Sequence, residues 1–131
     1  RLLPFPIYHS TLECDCSKRR TVFVVHTAVK NYDKRDVIRR TYGSVKNQKE
    51  YGFCLFFFAG RQPQSTVEEG KLIDESNQYK DIVVGDYTDS YTNMTIKALF
   101  WMRFINEHCY STINVVKMDD DVAINLRYVF H

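Results

Sequence analysis

The sequence predicts an α/β fold in which helices cover both faces of a mostly parallel sheet. Segments typical of buried strands alternate with segments typical of helices four times along the chain. The strand-like segments are continuously apolar, as in parallel sheets that are covered on both sides. The 131 residues, 44% of them hydrophobic, are enough for one domain with its own core.

The first elements follow an N-terminal segment of mixed polarity. Residues 1–18 contain two prolines and no periodicity, so we expect an irregular lead-in to a domain that occupies residues 19–131. The run "TVFVVHT" at 21–27 predicts a buried strand. A helix with the body "KRDVIRRTY" should follow, capped by Asp33 and ended by Gly43.

The later elements repeat this order of strand and helix. We expect strands at 52–60, 81–85 and 113–118, with helices between them. The helix at 65–79 begins with Thr66 and Glu69 in the spacing of a capping box. The segment from 94 to 109 has a wide apolar stripe beside a polar one.

Charge and hydropathy exclude some functions and leave others open. The 18 basic and 16 acidic residues give a net charge of +2, which predicts neither a nucleic-acid partner nor an anionic membrane surface. The longest apolar run, residues 53–60, is much shorter than the roughly 20 residues that span a bilayer. The chain begins without Met or a leader sequence, so we expect targeting information elsewhere in a longer protein.

The cysteines are Cys14, Cys16, Cys54 and Cys109. The CxC spacing of the first two is too tight for a usual zinc or redox pair. Cys54 lies in an apolar run and is predicted to be a buried free thiol. The other three could form a bridge in an oxidising compartment, either Cys16 to Cys109 or Cys14 in place of Cys16.

Polar residues follow several of the predicted strands. They occupy the segments 27–39, 60–61 and 119–121. Open α/β sheets bind ligands in the crevice beyond the carboxyl ends of their strands. We therefore expect a ligand site where these segments meet.

The third segment consists of three consecutive aspartates, Asp119, Asp120 and Asp121. Like charges this close repel by about 1 to 4 kcal/mol per pair at intermediate dielectric. A divalent ion such as Mg²⁺ or Mn²⁺, shared with a diphosphate, would neutralise them. The alternative is a solvated loop in which Asp121 or Asn125 caps the next element, and the triplet alone does not decide between the two.

Four segments carry a family resemblance. "KRDVIRRTYG" (34–43) resembles "RRxAIRxTWG", and "LFFFAGR" (55–61) resembles "FFLLG". "DIVVGDYTDSYTNMTIKALFWM" (81–102) and "CYSTINVVKMDDDVAIN" (109–125) resemble "DIIxxDFxDSYxNLTLKTLxxM" and "KxDDDVFVN". Together and in this order they are similar to the β-1,3-glycosyltransferases that transfer galactose or N-acetylglucosamine from UDP-sugars.

The resemblance implies a GT-A fold and the role of its donor-binding half for residues 19–131. It implies a metal-dependent, inverting enzyme of the Golgi membrane, with its catalytic domain in the lumen, that uses UDP-galactose or UDP-N-acetylglucosamine and a glycan acceptor on a glycoprotein or glycolipid. Asp121 would then bind Mn²⁺ or Mg²⁺, and Asp119 and Asp120 would position the ribose or the water molecules of the metal. The general base is expected beyond residue 131. A non-enzymatic nucleotide- or partner-binding fragment is the alternative.

Three further residues are candidates for the donor site. Arg35 and Arg39 lie four residues apart and, with Thr27, could face the nucleotide at the end of the first parallel strand. The alternative is a solvated basic face paired with acidic neighbours. Asn93 begins the chain's N-glycosylation sequon. Lys97 could point to the acidic site or to solvent.

Overall fold

The computed structural model describes residues 6–90 and 94–130, except for the side chain of Met94. Its strands are β1 (Ile7–Leu12), β2 (Thr21–His26), β3 (Phe53–Arg61), β4 (Asp81–Thr88) and β5 (Asn114–Asp119). Its α-helices are α1 (Tyr32–Arg40), α2 (Val45–Tyr51), α3 (Thr66–Tyr79), α4 (Met94–His108) and α5 (Leu126–Val129). Within these residues no helix combines the length and the apolarity needed to cross a bilayer.

The strands form one sheet in the order β1-β4-β3-β2-β5. Strands β4, β3, β2 and β5 are parallel, and β1 joins the edge of β4 in antiparallel orientation. The chain proceeds from β2 to β3 to β4 in one direction and then places β5 on the other side of β2. The strand order therefore reverses between β2 and β5, which is where open α/β sheets form a ligand crevice.

Hydrophobic cores lie on both faces of the sheet, because successive side chains of a strand point to opposite sides. On one face, Phe23 and Val25 of β2 share a buried cluster with Ile38 of α1 and Leu72 of α3. On the other face, Val22 and Val24 pack in a cluster that contains Phe100 and Phe104 of α4. The predicted α/β class, with a mostly parallel sheet between helices, is confirmed.

The N-terminal segment is more ordered than the sequence predicts. Residues 1–18 were expected to be irregular, and this is wrong for β1, whose residues pair from Ile7 opposite Gly85 to Leu12 opposite Asp81. The side chains of β1 alternate between exposed and partly buried over most of its length. An edge strand with one covered face has this mixed polarity, which resembles that of a loop in the sequence.

The first helical region also differs from the prediction. Helix α1 begins after Asn31, so Asp33 lies in its first turn and is not the cap. Gly43 does not have the left-handed conformation, and a Cβ atom there would lie only 2.8 Å from Ile38 and 2.9 Å from Leu55. Close packing explains this glycine. The left-handed stop belongs instead to Gly52, with φ of 75°, at the end of α2.

Ser44 and Ser65 are the N-caps of α2 and α3, and neither was predicted as a cap. Helix α2 was not predicted; the Ser44 side chain accepts a hydrogen bond from the amide of Asn47 at its start. Helix α3 is capped by Ser65 rather than by Thr66. Glu69, which was expected to complete a capping box, instead accepts a hydrogen bond from the backbone amide of Gln62.

All four cysteines form disulfides. Cys16 is bonded to Cys109, one of the two pairings left open by the sequence, and Cys14 is bonded to Cys54. The expectation of a free thiol at Cys54 is therefore wrong. The sequence does not distinguish a buried free thiol from a buried disulfide, because cysteine is found in apolar surroundings in both states. The two bridges tie the segment after β1 to β3 and to the end of α4.

Candidate functional site

A cleft of about 530 Å³ lies at the carboxyl ends of the parallel strands. His26 and Thr27 enter it from the end of β2, Gln62 from the end of β3 and Asp89 from the end of β4. The aspartates 119–121 enter it from the end of β5. The cleft therefore includes the point between β2 and β5 at which the strand order reverses.

The three aspartates occupy different environments. Asp119 is the last residue of β5, lies opposite His26 in the sheet and has a side chain that is 59% exposed. Its carboxylate lies 3.3 Å from the Lys117 ammonium group. Asp120 is buried and Asp121 is exposed. Of the three carboxylates, those of Asp119 and Asp121 are accessible to a ligand in the cleft.

Asp120 is fixed by two side chains from the loop that follows β2. The hydroxyl of Thr27 donates a hydrogen bond to Oδ2 at 2.8 Å, and the amide of Asn31 donates to the same oxygen at 2.9 Å. Burial, together with the negative charge of Asp120, raises the pKa of Tyr42 to about 12. Asp120 thus joins the triplet to β2 and α1, and its Oδ2 is not available to a ligand.

Arg35 lies behind this contact and does not face the cleft. Its side chain is 1% exposed and forms paired hydrogen bonds to Glu75, both of 2.7 Å. The other N–H groups donate to the Thr27 hydroxyl at 2.9 Å and to the carbonyl oxygens of Ala28 and Val29. The geometry corrects the expectation that Arg35 contacts the donor, because all its donors have protein partners.

Arg39 belongs to the same buried network. Its guanidinium donates to Asp81 through two hydrogen bonds of 2.9 Å and lies 2.8 Å from Glu75. It also lies 4.0 Å from the ring centre of Tyr79. The side chain therefore connects α1 to α3 and β4, in contrast to the donor contact and to the solvated face that the sequence allowed. The helix spacing shows that the two arginines share a face but not what that face packs against.

Lys97 of α4 points towards the cleft and away from bulk solvent. Its ammonium group lies 3.0 Å from Oδ1 of Asp89 and 3.3 Å from the carbonyl oxygen of Thr27. The Lys97 side chain is 14% exposed and that of Asp89 is 7% exposed. Lys97 therefore links the ends of β2 and β4 across the base of the cleft.

His26 is a site residue that the sequence analysis did not identify. It is 7% exposed, and its ring packs edge-on against Trp101 with 6.4 Å between the centroids. Burial lowers its pKa to about 4, with smaller contributions from the positive charges of Lys117 and Lys97. The imidazole is therefore neutral at neutral pH. The signal in the sequence was a single polar residue at the end of an apolar strand.

The acidic residues of the cleft fit a metal ion only in part. Within residues 6–90 and 94–130, no three His, Cys, Asp or Glu side chains converge as a metal site does. Mg²⁺ and Mn²⁺, however, are often held by one or two carboxylates together with phosphate oxygens and water. The accessible carboxylates of Asp119 and Asp121 match that smaller protein contribution.

Asn93, the first residue of the predicted N-glycosylation sequon, lies outside the described residues.

Comparison with known proteins gives a consistent set of similarities. The sequence model of a protein family described as Galactosyltransferase matches residues 33–131. The chain is 31% identical over 114 residues to β-1,3-galactosyltransferase 1 of Mus musculus and of Homo sapiens, which covers 87% of this chain and 35% of each relative. It is 30% identical over 119 residues to β-1,3-galactosyltransferase 5 of Mus musculus, with coverage of 89% and 38%. The chain thus spans about a third of the length of these relatives.

Proposed function

The chain belongs to the galactosyltransferase family, and from this premise we propose that residues 19–131 are the half of a β-1,3-hexosyltransferase domain that binds a UDP-sugar. The donor is UDP-galactose or UDP-N-acetylglucosamine, and the acceptor is a glycan on a glycoprotein or glycolipid. Transfer inverts the configuration of the donor sugar. The observation that carries this proposal is the acidic triplet, which lies in the cleft where the strand order reverses.

The accessible aspartates are suited to the diphosphate end of the donor. In this proposal Asp121 binds Mn²⁺ or Mg²⁺, and Asp119 contributes a second carboxylate or orients water. The metal, when bound, stabilises the negative charge that develops on the UDP leaving group. Lys34 of α1 lines the same cleft and places a positive charge near the phosphates.

Asp120 has a different task, which is to hold the triplet in place. Its hydrogen bonds to Thr27 and Asn31 fix the turn after β5 relative to β2. Arg35 orients Thr27 in turn, from the buried side. Protein side chains that are fixed in place before the donor binds lose little conformational freedom on binding, which favours binding. Arg35 thus supports the donor site from outside the cleft, whereas Thr27 both holds Asp120 and lines the cleft.

The cysteines support a secretory location. Two disulfides in a chain of this size are typical of oxidising compartments. We place the domain in the Golgi lumen, attached to the membrane by an anchor in the full-length protein.

Calorimetric titration of UDP into the chain, with and without Mn²⁺, tests the proposal. We expect Mn²⁺-dependent binding that Asp121→Asn weakens by at least tenfold. Asp74→Asn is the matched control, because it makes the same charge change on an exposed face of α3 outside the cleft. Absence of UDP binding to the wild-type chain, or equal affinities for both variants, would contradict the assignment.

A further inference from the structure

We propose that Asp89, held by Lys97 and accompanied by His26, forms the subsite that receives the hydroxyl groups of the transferred sugar. This subsite lies in the same cleft as the triplet but on the side of β4 and α4. The inference rests on the proposed UDP-sugar site, and it assigns the part of that site that binds the uncharged sugar rather than the diphosphate.

The first observation is that one carboxylate oxygen of Asp89 is buried and accepts no hydrogen bond within the described part of the chain. Oδ1 of Asp89 is paired with Lys97 at 3.0 Å, whereas Oδ2 is buried and has no hydrogen-bond partner among the described residues. Buried polar atoms in native proteins are nearly always satisfied, since an unsatisfied one destabilises the fold. A ligand that donates a hydrogen bond to Oδ2 would remove this cost on binding.

The charge of the subsite restricts which ligand can donate a hydrogen bond to Oδ2 of Asp89. Lys97 neutralises Asp89, and its ammonium group is also held by the carbonyl oxygen of Thr27. A metal ion or a phosphate would therefore gain little there, whereas a neutral hydroxyl matches a carboxylate oxygen well. The triplet offers the opposite chemistry, with accessible negative charge for a metal and its diphosphate. Two such regions side by side match the two halves of a nucleotide sugar.

His26 supplies a second neutral polar group on the same face of the sheet as α4. Its Nε2 atom is also buried and has no hydrogen-bond partner in the described part of the chain. The ring is held against Trp101, so its position is fixed before any ligand binds. An imidazole nitrogen can donate to or accept from a sugar hydroxyl, depending on its tautomer.

Local packing keeps Asp89 in place. A Cβ atom on Gly60 would lie 2.9 Å from the Cβ atom of Asp89, so the backbone of β3 approaches this side chain closely. The amide of Asp89 also donates to the carbonyl oxygen of Arg61 at 2.7 Å. A carboxylate held this rigidly can distinguish between hydroxyl orientations.

The test compares affinities for UDP, UDP-galactose and UDP-N-acetylglucosamine in the presence of Mn²⁺. Asp89→Asn places an amide N–H group where Oδ2 was, because the remaining oxygen must still face Lys97. We expect UDP affinity to stay within twofold of wild type, while affinity for the preferred UDP-sugar falls at least fivefold. Asp86→Asn is the control, since Asp86 is exposed and paired with Arg61 outside the cleft. His26→Gln should change the same ratio from the side of β2.

The outcomes separate this inference from the function on which it rests. If UDP binds but the ratio of UDP-sugar to UDP affinity is unchanged in both Asp89→Asn and His26→Gln, the sugar subsite is wrong and the donor site stands. Equal weakening of UDP and UDP-sugars in both variants also overturns the subsite. If the wild-type chain binds neither UDP nor a UDP-sugar, the proposed function fails, and this inference fails with it.

Discussion

Replacing Arg35 by methionine should destabilise the domain far more than replacing an exposed arginine of the same helix. The change leaves the buried Glu75 carboxylate with Arg39 as its remaining ion-pair partner, at 2.8 Å. Removal of one partner from a buried pair typically costs 3 to 5 kcal/mol. Because Arg39 stays, we expect about 3 kcal/mol, a large part of the roughly 5 to 15 kcal/mol that stabilises a domain.

Urea unfolding followed by circular dichroism measures this cost. Arg40→Met is the matched control, since Arg40 pairs with Asp36 on the surface of α1, where the two side chains are 65% and 31% exposed. Such a pair contributes about 0.5 kcal/mol or less. The double variant Arg35→Met with Glu75→Met should be more stable than the sum of the single changes predicts. The second change removes the buried carboxylate that would otherwise have lost its partner Arg35.

The same variant also reports on the site. Arg35 donates to Thr27, and Thr27 donates to Asp120, so Arg35→Met should weaken Mn²⁺-dependent UDP binding in conditions where the protein remains folded. Equal destabilisation by Arg35→Met and Arg40→Met would refute the buried-network reasoning. Strict additivity of the double variant would refute it as well. Unchanged UDP affinity would limit Arg35 to a role in stability.

Two further predictions concern stability. Removing the Cys16–Cys109 bridge by paired alanine changes should cost about 0.7 kcal/mol more than removing Cys14–Cys54, because the bridges close loops of 93 and 40 residues; equal losses in thermal or urea unfolding would contradict this chain-entropy argument. The lowered pKa of His26 means that the unfolded chain takes up this proton first as pH falls. Stability should therefore fall between about pH 6.5 and pH 4, by about 1 to 2 kcal/mol after allowance for solvent screening. His26→Gln should lose that part of the pH dependence in metal-free buffer, and an identical profile would contradict the assignment.

The fold was predictable where a local pattern determines the structure. Continuous apolar runs such as 21–27 and 52–60 gave the parallel strands, and their alternation with helices gave the layers. Strand β1 was not predictable, because its identity depends on pairing with β4, a partner about 70 residues away. Helix α2 was missed since its main signals, Ser44 and the left-handed Gly52, enclose only seven residues with little apolar periodicity.

The site was predictable as a place but not as a set of contacts. Its location followed from the polar segments at the strand ends, and two of the three, 27–39 and 119–121, contribute residues to the cleft. At the end of β3 the cleft is lined by Gln62, the residue that follows the predicted pair 60–61. The direction of each side chain depends on tertiary contacts that the sequence does not show. Arg35 turns to Glu75, which lies 40 positions further along the chain. His26 was overlooked because a single histidine in a strand carries no spacing signal.

The alternation of a β-strand explains why three adjacent aspartates need not act alike. Asp119 lies on the same face as His26 and α4, and Asp120 turns to the opposite face, where Thr27 and Asn31 satisfy it. Asp121 follows in the turn and is exposed to the cleft. A run of identical residues at the end of a strand thus provides one buried attachment and two accessible carboxylates. The repulsion between them decreases because their side chains diverge, and a shared cation would reduce it further.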